Sequence, residues 1–137
     1  MCNAHPSAQR LECTRRGKWK RAANPFTARV LAQRRSAGMP AEVRRDLCAA
    51  YERYVTELPR HSVQDVELWA QRQGQDIIVA HASKQLTPQD TLDTVMLMVE
   101  MAEEGTSMHL LCHCHPAQCH CMILRAEIQR RVIERQP

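Results

Sequence analysis

The segment 76–114 limits the fold most strongly, because its pattern changes from strand to helix and back to strand. Residues 76–82, "DIIVAHA", contain a run of three β-branched residues, which is typical of a buried strand. Residues 86–105 predict a helix capped by Thr87, and residues 107–114, "SMHLLCHC", predict the next strand. A connection of this length suits a parallel crossover. We therefore expect a single-domain α/β fold, with a small, mostly parallel sheet flanked by helices.

Three more helices are predicted around that unit, from apolar spacing and from helix start and stop signals. They cover residues 40–58, 62–73 and 116–135. The apolar stripe of the first includes Leu47, Tyr51 and Tyr54, and Ser62 and Asp65 resemble a capping box at the start of the second. The Asn-Pro step at residues 24–25 favours a turn.

The length of 137 residues fits one hydrophobic core, which we assign to residues 24–137. Residues 1–23 show no clear period, so we treat them as a basic N-terminal segment and leave open whether it is ordered or a flexible arm.

The charge of the chain is divided unevenly along its length. Residues 1–45 carry eleven Lys or Arg and two acidic residues, a net charge of +9, whereas the remaining residues carry eight basic and thirteen acidic ones. A basic front on an acidic body indicates an anionic partner, which would be nucleic acid, a nucleotide or an acidic protein surface. The alternative is a solvated basic arm without a partner, and the sequence leaves both open.

Neither a membrane segment nor a secretion signal is predicted. No apolar run approaches the roughly 20 residues that a membrane helix needs, and residues 1–18 lack the apolar core of a signal peptide. The chain has seven cysteines, an odd count that rules out complete disulfide pairing within one chain. We therefore expect a cytosolic protein whose clustered cysteines serve metal or thiol chemistry.

The stretch 110–122, "LLCHCHPAQCHCM", holds four of those cysteines and three of the seven histidines. Cys112 and Cys114 fall at the end of the predicted strand, and Cys119 and His120 fall near the start of the last predicted helix. Ligands of open α/β sheets collect at such strand ends, and a helix N-terminus favours anions and thiolates. This stretch is therefore the candidate functional site.

Three interpretations of the stretch stay open. The first is a metal site, for which zinc needs four ligands. If the helix begins before Cys119, Cys119 and Cys121 lie on opposite sides of it, which disfavours a cage of all four cysteines. The better cage is then Cys112, Cys114 and Cys119 with His120 or His115. The second is a reactive or ligand-binding thiol, with Cys119 as the nucleophile beside His120. The third is structural, with the cysteines buried as small apolar side chains.

Two short motifs, "NPF" at residues 24–26 and C-x-C-x4-C-H at residues 112–120, carry a family resemblance. The chain resembles the family called domain of unknown function 4326, and the matching positions are Asn24, Pro25, Phe26, Cys112, Cys114, Cys119 and His120. Residues 86–128 are also similar to domain of unknown function 488. The Trp that the first family carries between its first two cysteines is His113 here. The Arg expected after C-H is Cys121, so the resemblance implies that Arg125, one turn later, replaces it.

The leading hypothesis is a small cytosolic protein that binds or processes a nucleotide, nucleoside or nucleic-acid phosphate. Cys119 and His120 are its candidate catalytic residues, and Cys112 and Cys114 line the pocket. Trp19 is a candidate for stacking on a base, although a core position suits it as well. The candidate phosphate contacts are Asn24, Arg15, Arg16, Lys18, Arg21 and Arg125.

Two other hypotheses belong to different classes. One is a non-enzymatic interaction protein, such as a phage-encoded inhibitor of a host complex. It follows from the last helix, where apolar residues fall on two faces and the second face needs a protein partner or another copy of the chain. The other is a zinc-stabilised regulator built on the cysteine stretch.

Overall fold

The structure is a computed structural model that describes residues 9–12, 19–29, 41–111 and 120–136. Four α-helices make up most of these described residues. The predictions of helices at 40–58, 62–73 and 86–105 are confirmed to within two residues at each end. The last helix begins, within the described residues, at His120. The bounds are α1 Ala41–Thr56, α2 Val63–Arg72, α3 Pro88–Glu103 and α4 His120–Arg135.

Helices α2 and α3 begin at the residues that their capping signals predict. At α3, the Asp90 amide donates to Thr87 Oγ1 at 3.1 Å, and the Thr87 amide donates to Asp90 Oδ2 at 3.2 Å. Ser62 and Asp65 form the same reciprocal pair at α2. Each pair satisfies two amide groups that the first helical turn leaves without a backbone partner, so the local sequence fixes where these helices start.

Four short strands form two separate pairs in the described part of the chain. The first pair is parallel and joins β1, Gln9–Glu12, to β4, Met108–Leu111. The second is antiparallel and joins β2, Phe26–Ala28, to β3, Ile77–Val79. Its register places Phe26 opposite Val79 and Ala28 opposite Ile77. Because all four of those side chains are buried, this register turns the apolar faces of both strands into the core.

The prediction of a mostly parallel sheet flanked by helices is wrong. Helices dominate, and the two strands of the predicted crossover unit, β3 and β4, each pair with a strand from the first 28 residues instead of with each other. The run Ile77-Ile78-Val79 correctly indicates a strand. The strand with which it pairs is the one whose apolar face completes the core. Because that strand lies far away in the sequence, no local pattern indicates it.

Helix α2 protects the edge of β3 that faces away from β2. Glu67 Oε2 accepts a hydrogen bond from the Val79 amide at 2.5 Å, and Gln71 Nε2 donates to the Ile77 carbonyl oxygen at 3.3 Å. These two side chains, one turn apart, supply the partners that a third strand would give. None of the helices in the described ranges combines the length and the apolar composition that a membrane crossing requires.

The core lies between α1 and the other elements. Tyr51 and Tyr54 of α1 are fully buried, and the Tyr54 ring meets Phe26 edge to face at a centroid distance of 6.0 Å. The first 23 residues also contribute to this core, through Leu11, Trp19 and Ala22. Trp19 is 8% exposed, which agrees with a core position and leaves little of its surface for a base. The domain boundary after residue 23 stays a prediction.

The Tyr54 phenol makes stability depend on pH in the alkaline range. Burial raises the pKa of Tyr54 from 10.0 to about 12, although the hydrogen bond with Thr91, 2.7 Å between the hydroxyl oxygens, acts in the opposite direction. Since the unfolded chain releases this proton near pH 10 and the folded chain retains it until about pH 12, we expect the free energy of unfolding to fall across that interval. Urea unfolding of the wild type and Tyr54→Phe at several pH values measures this: the variant should show a smaller decrease, and equal decreases would contradict the assignment.

Candidate functional site

The Asn-Pro-Phe step is fixed against α1 by the side chain of Asn24. Asn24 Nδ2 donates to the Leu47 carbonyl oxygen at 3.3 Å, and Asn24 Oδ1 accepts from the Phe26 amide at 3.0 Å. The Pro25 carbonyl oxygen accepts from the Ala80 amide at 2.8 Å, which begins the pairing of β2 with β3. Asn24 therefore shapes the turn into β2, as an Asx turn does. The sequence predicted a turn here and a phosphate contact for Asn24; its hydrogen bonds are a structural role that this prediction missed.

His120 is the first described residue of α4 and is buried, with 6% of its surface exposed. Its imidazole meets the ring of Tyr51 at a centroid distance of 5.2 Å and an interplanar angle of 72°. His120 Nε2 also lies 3.9 Å from Cys121 Sγ, and Cys121 is 1% exposed. Burying an imidazole is costly unless its nitrogens find partners. The ring is therefore held in a defined orientation between α1 and its own helix.

Tyr51 connects this histidine to the segment that precedes the Asn-Pro-Phe step. The Tyr51 hydroxyl donates to the Ala22 carbonyl oxygen at 2.6 Å, in the buried interior. Ala22 ends a short 3-10 turn, Lys20–Ala22, two residues before Asn24. Leu47 and Tyr51 lie one turn apart on α1, and each contacts one of the two motifs that carry the family resemblance. Leu47 contacts Asn24, and Tyr51 contacts His120. The apolar spacing of α1 predicted that these residues face the core, but it gave no signal that His120 would be the neighbour.

Cys112, Cys114 and Cys119, the other members of the predicted Cys/His set, lie outside the described residues. They belong to the segment that follows β4, which ends at Leu111, and precedes His120. The described residues contain no group of three or more His, Cys, Asp or Glu side chains arranged to hold a metal ion. The zinc hypothesis therefore stays a prediction, and His120 is the part of its ligand set whose surroundings are known.

Among the predicted phosphate contacts, Arg15, Arg16 and Lys18 lie outside the described residues. Arg21 is 56% exposed at its side chain, and its Nη1 lies 3.8 Å from Asp90 Oδ1 at the start of α3. The hydrogen bonds from Thr87, with a smaller contribution from Arg21, hold the pKa of Asp90 below its usual value. Arg125 is exposed on α4. Arg21 directly precedes Ala22, whose carbonyl oxygen accepts the hydrogen bond from Tyr51.

The second apolar face predicted for the last helix is present in the structure. Cys121, Leu124 and Ile128 of α4 are buried, whereas Met122 and Ile133 are 54% and 67% exposed. The partner or second copy predicted to cover this face stays a prediction.

Comparison with protein families identifies the chain. A family model described as Domain of unknown function (DUF4326) matches residues 3–130, which include the Asn-Pro-Phe step and the whole Cys/His motif. The chain therefore belongs to this family, and the match extends over nearly the whole sequence. A search of curated proteins and a search of solved structures each found no match.

Proposed function

We propose that this member of the DUF4326 family binds a nucleotide, a nucleoside or a nucleic-acid phosphate next to the N-terminus of α4. The proposed binding residues are Cys112, Cys114, Cys119 and His120. The cytosolic location expected from the cysteine count belongs to the same proposal.

The convergence of the two family motifs on α1 is the observation that supports the proposal best. Asn24 and His120 stand near opposite ends of the chain, yet Asn24 is bonded to Leu47 while His120 packs on Tyr51, one helical turn away. A core needs only apolar residues at such positions, whereas here a buried imidazole and a half-buried amide lie against neighbouring turns of α1. Polar groups from distant segments that approach the same stretch of one helix fit a binding site, where a few polar groups converge.

The chemistry of these groups fits an anionic ligand. The first turn of α4 offers backbone N–H groups and partial positive charge, which favour phosphate and thiolate groups. The charge of +9 over residues 1–45 supplies the longer-range attraction to a phosphate. Arg21, which lies in the 3-10 turn Lys20–Ala22 just before Asn24, is a described cation of that region. The proposal covers binding, and it assigns no reaction.

Calorimetric titration with adenosine monophosphate, inorganic phosphate and a short single-stranded oligonucleotide tests the proposal. We expect the wild type to bind at least one probe, and Cys119→Ser and His120→Gln to weaken that binding by about 10-fold or more, since a lost hydrogen bond to a charged group costs about 1.5–3 kcal/mol. Cys48→Ser is the matched control, because Cys48 is a buried cysteine of α1 outside the motif. Thermal unfolding of each variant identifies those that fail to fold.

Two results would contradict the proposal. The first is wild-type affinity for the probe in both motif variants. The second is one equivalent of zinc in the purified protein, with thiols that become reactive only after a chelator is added. That result would assign the cysteines and His120 to a metal site instead.

A further inference from the structure

The hydroxyl and the ring of Tyr51 have different partners, and both partners belong to the candidate site. The hydroxyl is bonded to the Ala22 carbonyl oxygen at 2.6 Å, and the ring contacts His120 at a centroid distance of 5.2 Å. Tyr51 itself is fully buried. Packing alone requires the ring at this position, but it does not require a hydroxyl aimed at a carbonyl two residues before Asn24.

We infer that Tyr51 is a positioning residue. It couples the orientation of the His120 imidazole to the position of the segment that leads into the Asn-Pro-Phe step. The bond to Ala22 fixes where the Tyr51 ring lies, and the edge-to-face contact then fixes the plane of the imidazole. This inference rests on the proposed function for its effect on ligand binding. The coupling itself is a property of the protein without ligand, so the two can fail separately.

Tyr51→Phe tests the inference, because it removes the hydroxyl and keeps the ring. We expect the imidazole resonances of His120, assigned by their disappearance in His120→Gln, to shift in this variant. We also expect the affinity for adenosine monophosphate to fall about 10- to 100-fold, as is typical when a residue that orients a binding side chain is replaced. Nuclear magnetic resonance and calorimetry provide the two measurements.

Tyr54→Phe is the matched control. Tyr54 is the other tyrosine of α1 and is equally buried, but its hydroxyl meets Thr91 and its ring contacts Phe26. Each of the two variants loses one buried hydrogen bond of a tyrosine hydroxyl, so both should lose a comparable free energy of unfolding. Only Tyr51→Phe should move the His120 resonances and weaken binding.

Wild-type protein offers a test that needs no variant. Adding adenosine monophosphate should shift the ring signals of Tyr51 together with those of His120, and it should leave the ring signals of Tyr54 in place. Unchanged His120 resonances in Tyr51→Phe, or equal shifts in both tyrosine variants, would overturn the inference. If the wild type binds none of the probes while the His120 resonances still respond only to Tyr51→Phe, the proposed function fails and the positioning role of Tyr51 stands.

Discussion

Replacing Leu11 with alanine is expected to lower the free energy of unfolding by about 3 kcal/mol, within the range of roughly 2–5 kcal/mol for a buried leucine. Leu11 lies in β1, is completely buried, and belongs to the same core as Leu110 of β4. Strand β1 pairs with β4 in parallel, with Leu11 opposite Leu110. The shorter side chain leaves a cavity at this junction. In the wild type, the contacts that this variant loses hold β1 against β4, which leads in sequence to the segment before His120.

Chemical denaturation of Leu11→Ala beside Leu68→Ala measures this effect. Leu68 lies on α2 and is 48% exposed, so its truncation should change the free energy of unfolding by no more than about 0.5 kcal/mol. Equal effects of the two substitutions would mean that β1 contributes nothing to the folded core. In that case the segment 1–23 would behave as the flexible arm that the sequence left open.

The second large effect is expected from Glu127 of α4, whose side chain is 1% exposed. Its Oε1 accepts from Arg130 Nε at 2.9 Å, and its Oε2 accepts from Arg131 Nε at 2.6 Å. The bonds to Glu127 raise the pKa of Arg130 above its already high normal value. Glu127→Ala leaves two guanidinium groups without this carboxylate, one of them, on Arg131, only 16% exposed. We expect a loss of about 3 kcal/mol, the lower end for a broken buried pair, because Arg130 is partly solvated.

Glu134 provides the control on the same helix. It also pairs with Arg130, but its side chain is 59% exposed, so Glu134→Ala should cost no more than about 1 kcal/mol. Glu127→Gln, which keeps the size and removes the charge, should fall between the two. A urea series on the three variants gives this order, and a Glu127→Ala loss as small as that of Glu134→Ala would show that burial does not strengthen the pair.

Helix positions followed from the sequence because their signals are local. Thr87 with Asp90 and Ser62 with Asp65 satisfy amide groups within one turn, so they depend only on residues close in sequence. The apolar spacing of α1 likewise placed Tyr51 and Tyr54 on the buried face. The Asn-Pro-Phe step was correctly expected to turn, since Pro25 disfavours a helical conformation at Asn24.

Strand pairing did not follow from the sequence, because its signals are not local. The residues of β3 and β4 indicate strands, and the helix between them has the length of a parallel crossover, so the local pattern favoured one sheet. In the structure β3 pairs with β2 and β4 with β1, because these partners complete buried faces that include Phe26 and Leu11. Which strand supplies the complementary face is a property of the whole core.

By itself the sequence determined the helices, their capped starts, the turn at Asn24, the Cys/His motif and the family to which the chain belongs. Only the tertiary structure decided how the strands pair, and only it brought His120 onto Tyr51 and Tyr51 onto Ala22. The physical reason is the sequence distance between the interacting residues. A cap or a turn is stabilised by atoms a few residues away, whereas the surroundings of His120 depend on packing against Tyr51, about half the chain away.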